Sequence, residues 1–502
     1  MQQQLISKFT RRVAFGLPGG QSLPEDPVAW ALSQLRSEPP IDILERDGTR
    51  RADLPADMKL LSDMDEVMHA FADHQRIEKE SFEKAKSLSP REYEAYRERK
   101  VGTPYWRLEH WKEVQARETT ALFGGAPVFE RFWHFWTNHF MVAPGNQNND
   151  TLIGPYQRAL RPLMMGNYRE MLWQAVTHPS MLVYLDNNRN TGPRSKAARE
   201  KWTTDSINEN LGRELLELFT ISPSAGYTQQ DVEGTTLILT GWRDMKPDKW
   251  HKGQRLGTYF DFDRHEPGSQ TVLGKKYTAF FKPSAKLEDL VTDLANHPAT
   301  ARHLAHKLCV YFIDDDPPAE AVAKVEAAFI NSKGDLPTVH QAVIAACWET
   351  IETTRKFASP ETWFLQVLTL AGAEPPRTIP LTREVRGIKT PYLLGDLGQE
   401  IPRCPQPNGW PIRSIDWISK EMLDRRLRVL SVIGGEERRA GRSLDMRVKV
   451  SMAARRDLSP ESPALPLFKQ ADMFNDLRLG LVAFFASPEF CGAEPCNAEH
   501  SF

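Results

Sequence analysis

Apolar residues along most of the chain recur at spacings of three and four, the period of an amphipathic helix. Residues 1–50 read as short helices broken by Gly19-Gly20 and by Pro24, Pro27, Pro39 and Pro40. Residues 64–118 carry long, charged helical stretches, with Ser89-Pro90 as a start signal and a stripe of Leu108, Trp111, Val114 or Gln115, and Glu118. Residues 126–142 (APVFERFWHFWTNHFMV) form the most aromatic helix of the chain. Further helices are expected at about 156–184, 205–220 and 231–242, the last ended by Gly241. Between them, 187–204 is polar and basic and reads as a mobile loop, placed to act as a lid over an anionic substrate. The period changes only at 255–277, where alternation and turn residues predict one small β-hairpin near 257–275. Helices resume from 284 to about 350, with stops at Pro298, Pro317 and Gly334. A long irregular segment follows at 375–416, then helices at 416–432 and 460–488, with a basic, glycine-containing loop over 435–455.

The fold expected is therefore mainly α: a large multi-helical domain with a small β-hairpin. Residues 1–375 make the main helical domain with a central polar constellation. Residues 376–502 make a proline- and glycine-rich segment and C-terminal helices packed on the same domain. The best place for a division is near 350–380.

Composition narrows the class. Of 502 residues, 40% are hydrophobic and 26% charged, which fits neither a disordered chain nor a membrane bundle. Sixty-four basic residues face 66 acidic ones, so no general drive toward nucleic acid is expected. Five cysteines, at 309, 347, 404, 491 and 496, do not make a disulfide framework. No apolar run is long enough to span a membrane. Arg11-Arg12 invites a twin-arginine export reading, but Pro18, Gly19 and Gly20 stand where an apolar run is needed. As it stands the chain is expected in the cytoplasm, or exported if a leader has been removed. Dinucleotide, Walker A, HExxH and GxSxG signatures do not occur.

Three segments carry candidate chemistry. In ERFWHFWTNHF, Arg131, His134 and Asn138 share a helix face, while His139 points elsewhere. Their aromatic neighbours draw the imidazoles into a dry setting, where they must be hydrogen-bonded, paired with a carboxylate or bound to metal. In DSINENLGRELLELF, Glu209, Glu214, Glu217 and Arg213 form either an intrahelical salt-bridge network or, turned inward, a group needing a cation. In Asp261-x-Asp263-x-His265, an extended backbone puts three possible ligands of a divalent ion on one side, with Glu266 as a fourth, or else makes a solvated hairpin face over Phe260 and Phe262.

Two functions follow. The first is metal-assisted hydrolysis of an anionic or polymeric substrate. His134, Glu209, Glu217 and Arg213 are its catalytic residues, and Asp261, Asp263, His265 and His139 hold a divalent metal ion. The alternative is a non-catalytic helical binding or partner protein whose polar clusters are structural networks. Convergence of the three segments on one cavity separates the two.

A run of phrases adds a family resemblance: Arg11-Arg12 through Phe15-Gly16, FWHFWTNHFMV at 132–142, PSMLVYLDN at 179–187 and NENLGRELLELFTI at 208–221. It continues with YTQQDVEGTTLILTGWR at 227–243, FDFDRHEPGSQTVLG at 260–274, HPATARHLAHKL at 297–308, SPETWFLQVLTL at 359–370 and NGWP at 408–411. In their order these pieces resemble the DUF1800 family, bacterial proteins of unassigned function. The resemblance implies one long, largely helical domain and supplies no reaction. Relatives tend to carry His-Asp where this chain has His265-Glu266. Their genes often neighbour a family that resembles sulfatases and phosphatases, which suggests a protein partner.

Overall fold

Helix starts are set by side chains that satisfy the free N–H groups of a first turn. Asp26, Asn167, Asp335 and Asp476 each accept from a backbone N–H two or three residues ahead. His178 and His297 do the same through Nδ1, each just before a proline, so Pro298 opens a helix at the boundary expected of it. Thr228 and Asp231 close a reciprocal capping box. The computed structural model describes residues 2–52, 54, 60, 64–85, 88–93, 105–144, 147–202, 207–244, 257–279, 281–375, 393–401 and 403–492. It is a large, mainly α-helical domain with two small antiparallel strand pairs.

The aromatic helix, Pro127–His139, lies at the centre and is buried on every side from Val128 to Thr137. Phe132 and Phe135 meet Phe312, Trp136 meets Tyr168 and His340, and Arg161 forks onto Glu130. Burying so many large rings supplies much of the stability here: truncating one to alanine typically costs about 3–5 kcal/mol.

Several boundaries differ from expectation for local reasons. The stretch 156–184 is cut at Pro162, Gly166 and Pro179 into Gln147–Leu160, Tyr168–Thr177 and Pro179–Tyr184 with a 3-10 turn between the first two. The loop expected over 435–455 is helical, shared by Lys420–Arg439 and Ser443–Asp457 with Gly441 at φ +72° between them. Gly434, in the first of these helices, permits close approach of the next layer, since a Cβ there would meet Leu481 Cδ1 at 3.1 Å. The helix expected at 460–488 breaks into Leu465–Met473 and Leu477–Phe485 where Asn475 turns left-handed. Of the irregular segment, 376–392 and 402 lie outside the described residues.

The small hairpin expected near 257–275 is present at its C-terminal end, and a second strand pair accompanies it. Strand β1 (Trp242–Asp244) pairs with β2 (Thr258–Phe260), and β3 (Gln270–Val272) with β4 (Lys275–Tyr277). Leu273 and Gly274 both take positive φ in the two-residue turn, the geometry that matches strand twist. Between the pairs, 261–265 is a tight turn and not a strand: Arg264 and His265 donate to Asp261 O, and Asp263 N to Asp261 Oδ1. The alternating face read into Asp261, Asp263 and His265 therefore does not exist, and Phe262 is 63% exposed instead of buried.

Residues 187–202 are anchored by side-chain amides. Buried Asn187 donates to the carbonyls of Leu239 and Trp242, and Asn190 to Asn208 O. Two short helical turns, Asn187–Arg189 and Lys196–Arg199, fill the stretch that composition reads as a mobile loop.

Buried apolar residues form two main clusters. One runs from Phe9 to Ile351, the other from Trp363 to Phe490. Gln2–Val13 joins them. Its Phe9 and Val13 belong to the first cluster, and Arg11 pairs with Asp457 in the second layer.

Candidate functional site

His134 is 1% exposed, carried inward by the aromatic helix. Neither ring nitrogen has a hydrogen-bond partner among the described residues, and Nδ1 stands 3.7 Å from Glu361 Oε1. Burial, followed by the nearby Arg117, Arg131 and Arg161, holds its pKa well below the ordinary histidine value. The ring is thus neutral, with one N–H to give and one lone pair to accept. Glu361 is engaged elsewhere: Arg117 donates to its oxygens from Nε at 2.6 Å and from Nη2 at 3.2 Å. Arg117 also donates to Thr137 and lies over the Trp133 ring. Burial and then Glu361 push the neighbouring Glu118 up to about 8, which keeps it protonated at neutral pH.

The other predicted catalytic residues lie in a different network. Arg213 donates to Glu217 and Glu209 at 3.1 Å each and to Gln229 at 3.0 Å. Gln229 returns two bonds to Glu209, and Tyr227 donates to Glu217. The cluster is partly exposed and self-satisfied, a lattice of the kind worth a few tenths of a kcal/mol per pair.

The predicted metal ligands are also dispersed. Asp261 pairs with Arg264, and Asp263 with Lys196. His265 Nδ1 lies 2.7 Å from Thr240 O, which fixes the proton on that nitrogen. Glu266 accepts from Arg194 N and Nε. His139 meets Lys307 Nζ at 3.1 Å beneath Phe140 and Phe219, and burial with Lys307 depresses its pKa. Among the described residues no three His, Cys, Asp or Glu side chains gather as a metal-ion site.

One cavity stands out, with about 890 Å³ of space free of protein atoms, part of it open to solvent. Of the predicted site residues it takes only His134, together with Arg131 and Asn138 from the same helix face. Sequence reasoning missed its remaining polar walls. Lys8 donates to Ile351 O and Thr354 O, and Arg12 to Ile313 O and Thr354 O. Lys356 pairs with Asp315 and donates to Ile412 O. Burial, then Arg12, brings Lys8 down to about 7, and burial brings Lys356 to about 8. The signal available was Arg11-Arg12 inside an amphipathic helix, where both arginines are buried. Trp410 is held to the central helix by Asn138, which accepts from its N and donates to its O, and its indole Nε1 is buried without a partner among the described residues. Such an arrangement can hold a polar molecule. The predicted acid, base and metal ligands are not gathered there.

The chain belongs to the family described as protein of unknown function (DUF1800), which it matches over residues 8–491. No curated protein and no solved structure matches it. Among the described residues no helix is long and apolar enough to cross a membrane.

Proposed function

We propose that this chain is a helical binding protein whose surface and interior polar clusters are structural networks, and whose ligand enters the cavity beside His134. The separation of the predicted catalytic groups carries this reading. Glu209, Arg213 and Glu217 satisfy one another, Asp261 and Asp263 each have their own cation, and His265 is committed to a carbonyl. Metal-assisted hydrolysis needs an acid, a base and ligands around one reacting atom. A concave site with a few unsatisfied polar groups is what binding needs.

The test is elemental analysis of the purified chain with a hydrolysis screen on nitrophenyl esters and phosphates, repeated for Glu217→Gln. The expected outcome is no stoichiometric divalent metal, no turnover above background, and a stability change of only about 0.5 kcal/mol in the variant. A bound metal lost on Glu217→Gln, or turnover abolished by it, overturns the reading in favour of the hydrolase.

A further inference from the structure

The cavity is short of negative charge. Six basic side chains line it (Lys8, half-charged near neutral pH, with Arg11, Arg12, Arg117, Arg131 and Lys356) against two carboxylates, Glu361 and Glu489, the latter with its Oε2 buried and unpartnered among the described residues. Arg117 is neutralised by Glu361, Arg11 by Asp457 and Lys356 by Asp315. Arg12, Arg131 and Lys8 have no carboxylate partner among the described residues. Their bonds go to backbone carbonyls and, for Arg131, to the Tyr311 hydroxyl.

Arg131 is only 5% exposed, and its Nε is buried without an acceptor. A buried guanidinium with neither a counter-ion nor a full set of acceptors is costly, and a bound anion removes the cost. His134 and Trp410, whose buried ring nitrogens have no hydrogen-bond partner among the described residues, line the same cavity. Phe357, Phe490, Met141, Ile401 and Ile412 give the wall an apolar part, beside the polar Thr362, Gln366 and Gln399.

We propose that this cavity binds a small organic anion, its carboxylate or phosphate group taken by Arg131 and Arg12 and its apolar body lying against Phe357, Phe490 and Ile412. The neutral His134 ring accepts or donates one further hydrogen bond, and Trp410 Nε1 supplies a donor. This rests on the binding reading above and names the class of ligand.

The experiment titrates the full chain, at constant ionic strength, with phenylacetate, phenyl phosphate, the neutral phenylacetamide and inorganic phosphate, read by calorimetry and thermal shift. Phenylacetate or phenyl phosphate is expected to bind saturably, and which of the two is tighter tells carboxylate from phosphate. The amide and inorganic phosphate are expected to be weaker by about tenfold or more, as is the favoured acid with Arg131→Gln. Because that variant removes a buried charge and can unfold, a crystal soaked with 4-bromophenylacetate or 4-bromophenyl phosphate gives an independent check. An anomalous bromine peak beside Phe357 and Trp410 supports the site, and a peak only elsewhere overturns it. Failure of both organic acids to bind overturns the inference. So does inorganic phosphate binding as tightly as the favoured acid. An amide as tight as the acids overturns the anion class but leaves a binding protein, whereas turnover of phenyl phosphate overturns the binding reading itself.

Discussion

A buried imidazole that lacks an ionic partner makes folding sensitive to acid. Burial is the leading cause in every case here: His340 and His178 are brought down to about 3, and His265 and His303 to about 4. Above the unfolded-chain value of about 6.5, both folded and unfolded states are neutral. Below it the unfolded chain takes up protons that the folded chain refuses, so stability falls as pH drops toward the folded values. Each such histidine contributes a slope of about 1.4 kcal/mol per pH unit. His340 accepts from Trp136 Nε1 at 2.9 Å, a bond that glutamine also makes. His340→Gln is therefore expected to flatten stability against pH between 6.5 and 4.5 by about that slope, measured by urea unfolding at several pH values. An unchanged slope refutes the assignment. Glu361 is the converse case: Glu361→Gln leaves the buried Arg117 uncompensated, with an expected loss of about 3–5 kcal/mol in the same measurement.

The segment around Trp410 depends on one asparagine and one glycine. Asn138 makes both backbone bonds to Trp410, and Gly409 sits at φ +79° with its Cβ position 2.2 Å from Asn138 O. Asn138→Ala is expected to cost about 1–3 kcal/mol and to raise amide exchange at Trp410 selectively, while the Pro127–His139 helix stays protected. Uniform loss of protection across both elements contradicts this. The central helix was legible because its aromatics keep helical spacing and its proline stands at the first turn. Glu209, Arg213 and Glu217 were legible as neighbours for the same reason, since four-residue spacing fixes them locally. The cavity was not. Arg117 meets Glu361 across 244 residues, and Lys8 meets Ile351 across 343, distances over which no periodicity speaks. The second strand pair was not legible because β2 pairs backward to Trp242, in a stretch whose alternation is only three residues long.

On the scale of the molecule, two apolar clusters share a polar seam, and Gln2–Val13 lies along it. Phe15, Ala121 and Leu365 make a small apolar bridge beside it, and Gln366 donates to Arg11 O. Asp457 is the acidic end of this connection, buried against Arg11 and Arg456. Asp457→Ala is expected to cost about 3–5 kcal/mol and to split calorimetric unfolding into two transitions, the 363–490 cluster melting first. A single transition that merely shifts means that the clusters unfold as one whatever their ionic seam. The same connection sets a timetable for biosynthesis. Arg11 leaves the ribosome 446 residues ahead of Asp457, and at about 5–20 residues per second that is an interval of roughly 20–90 s. Throughout it the first helix waits for acceptors at 313, 351 and 354 and then for its aspartate. A nascent chain arrested before residue 443 therefore carries an N-terminal helix that can join its apolar neighbours but has no final berth, and such a chain is a natural client for a chaperone.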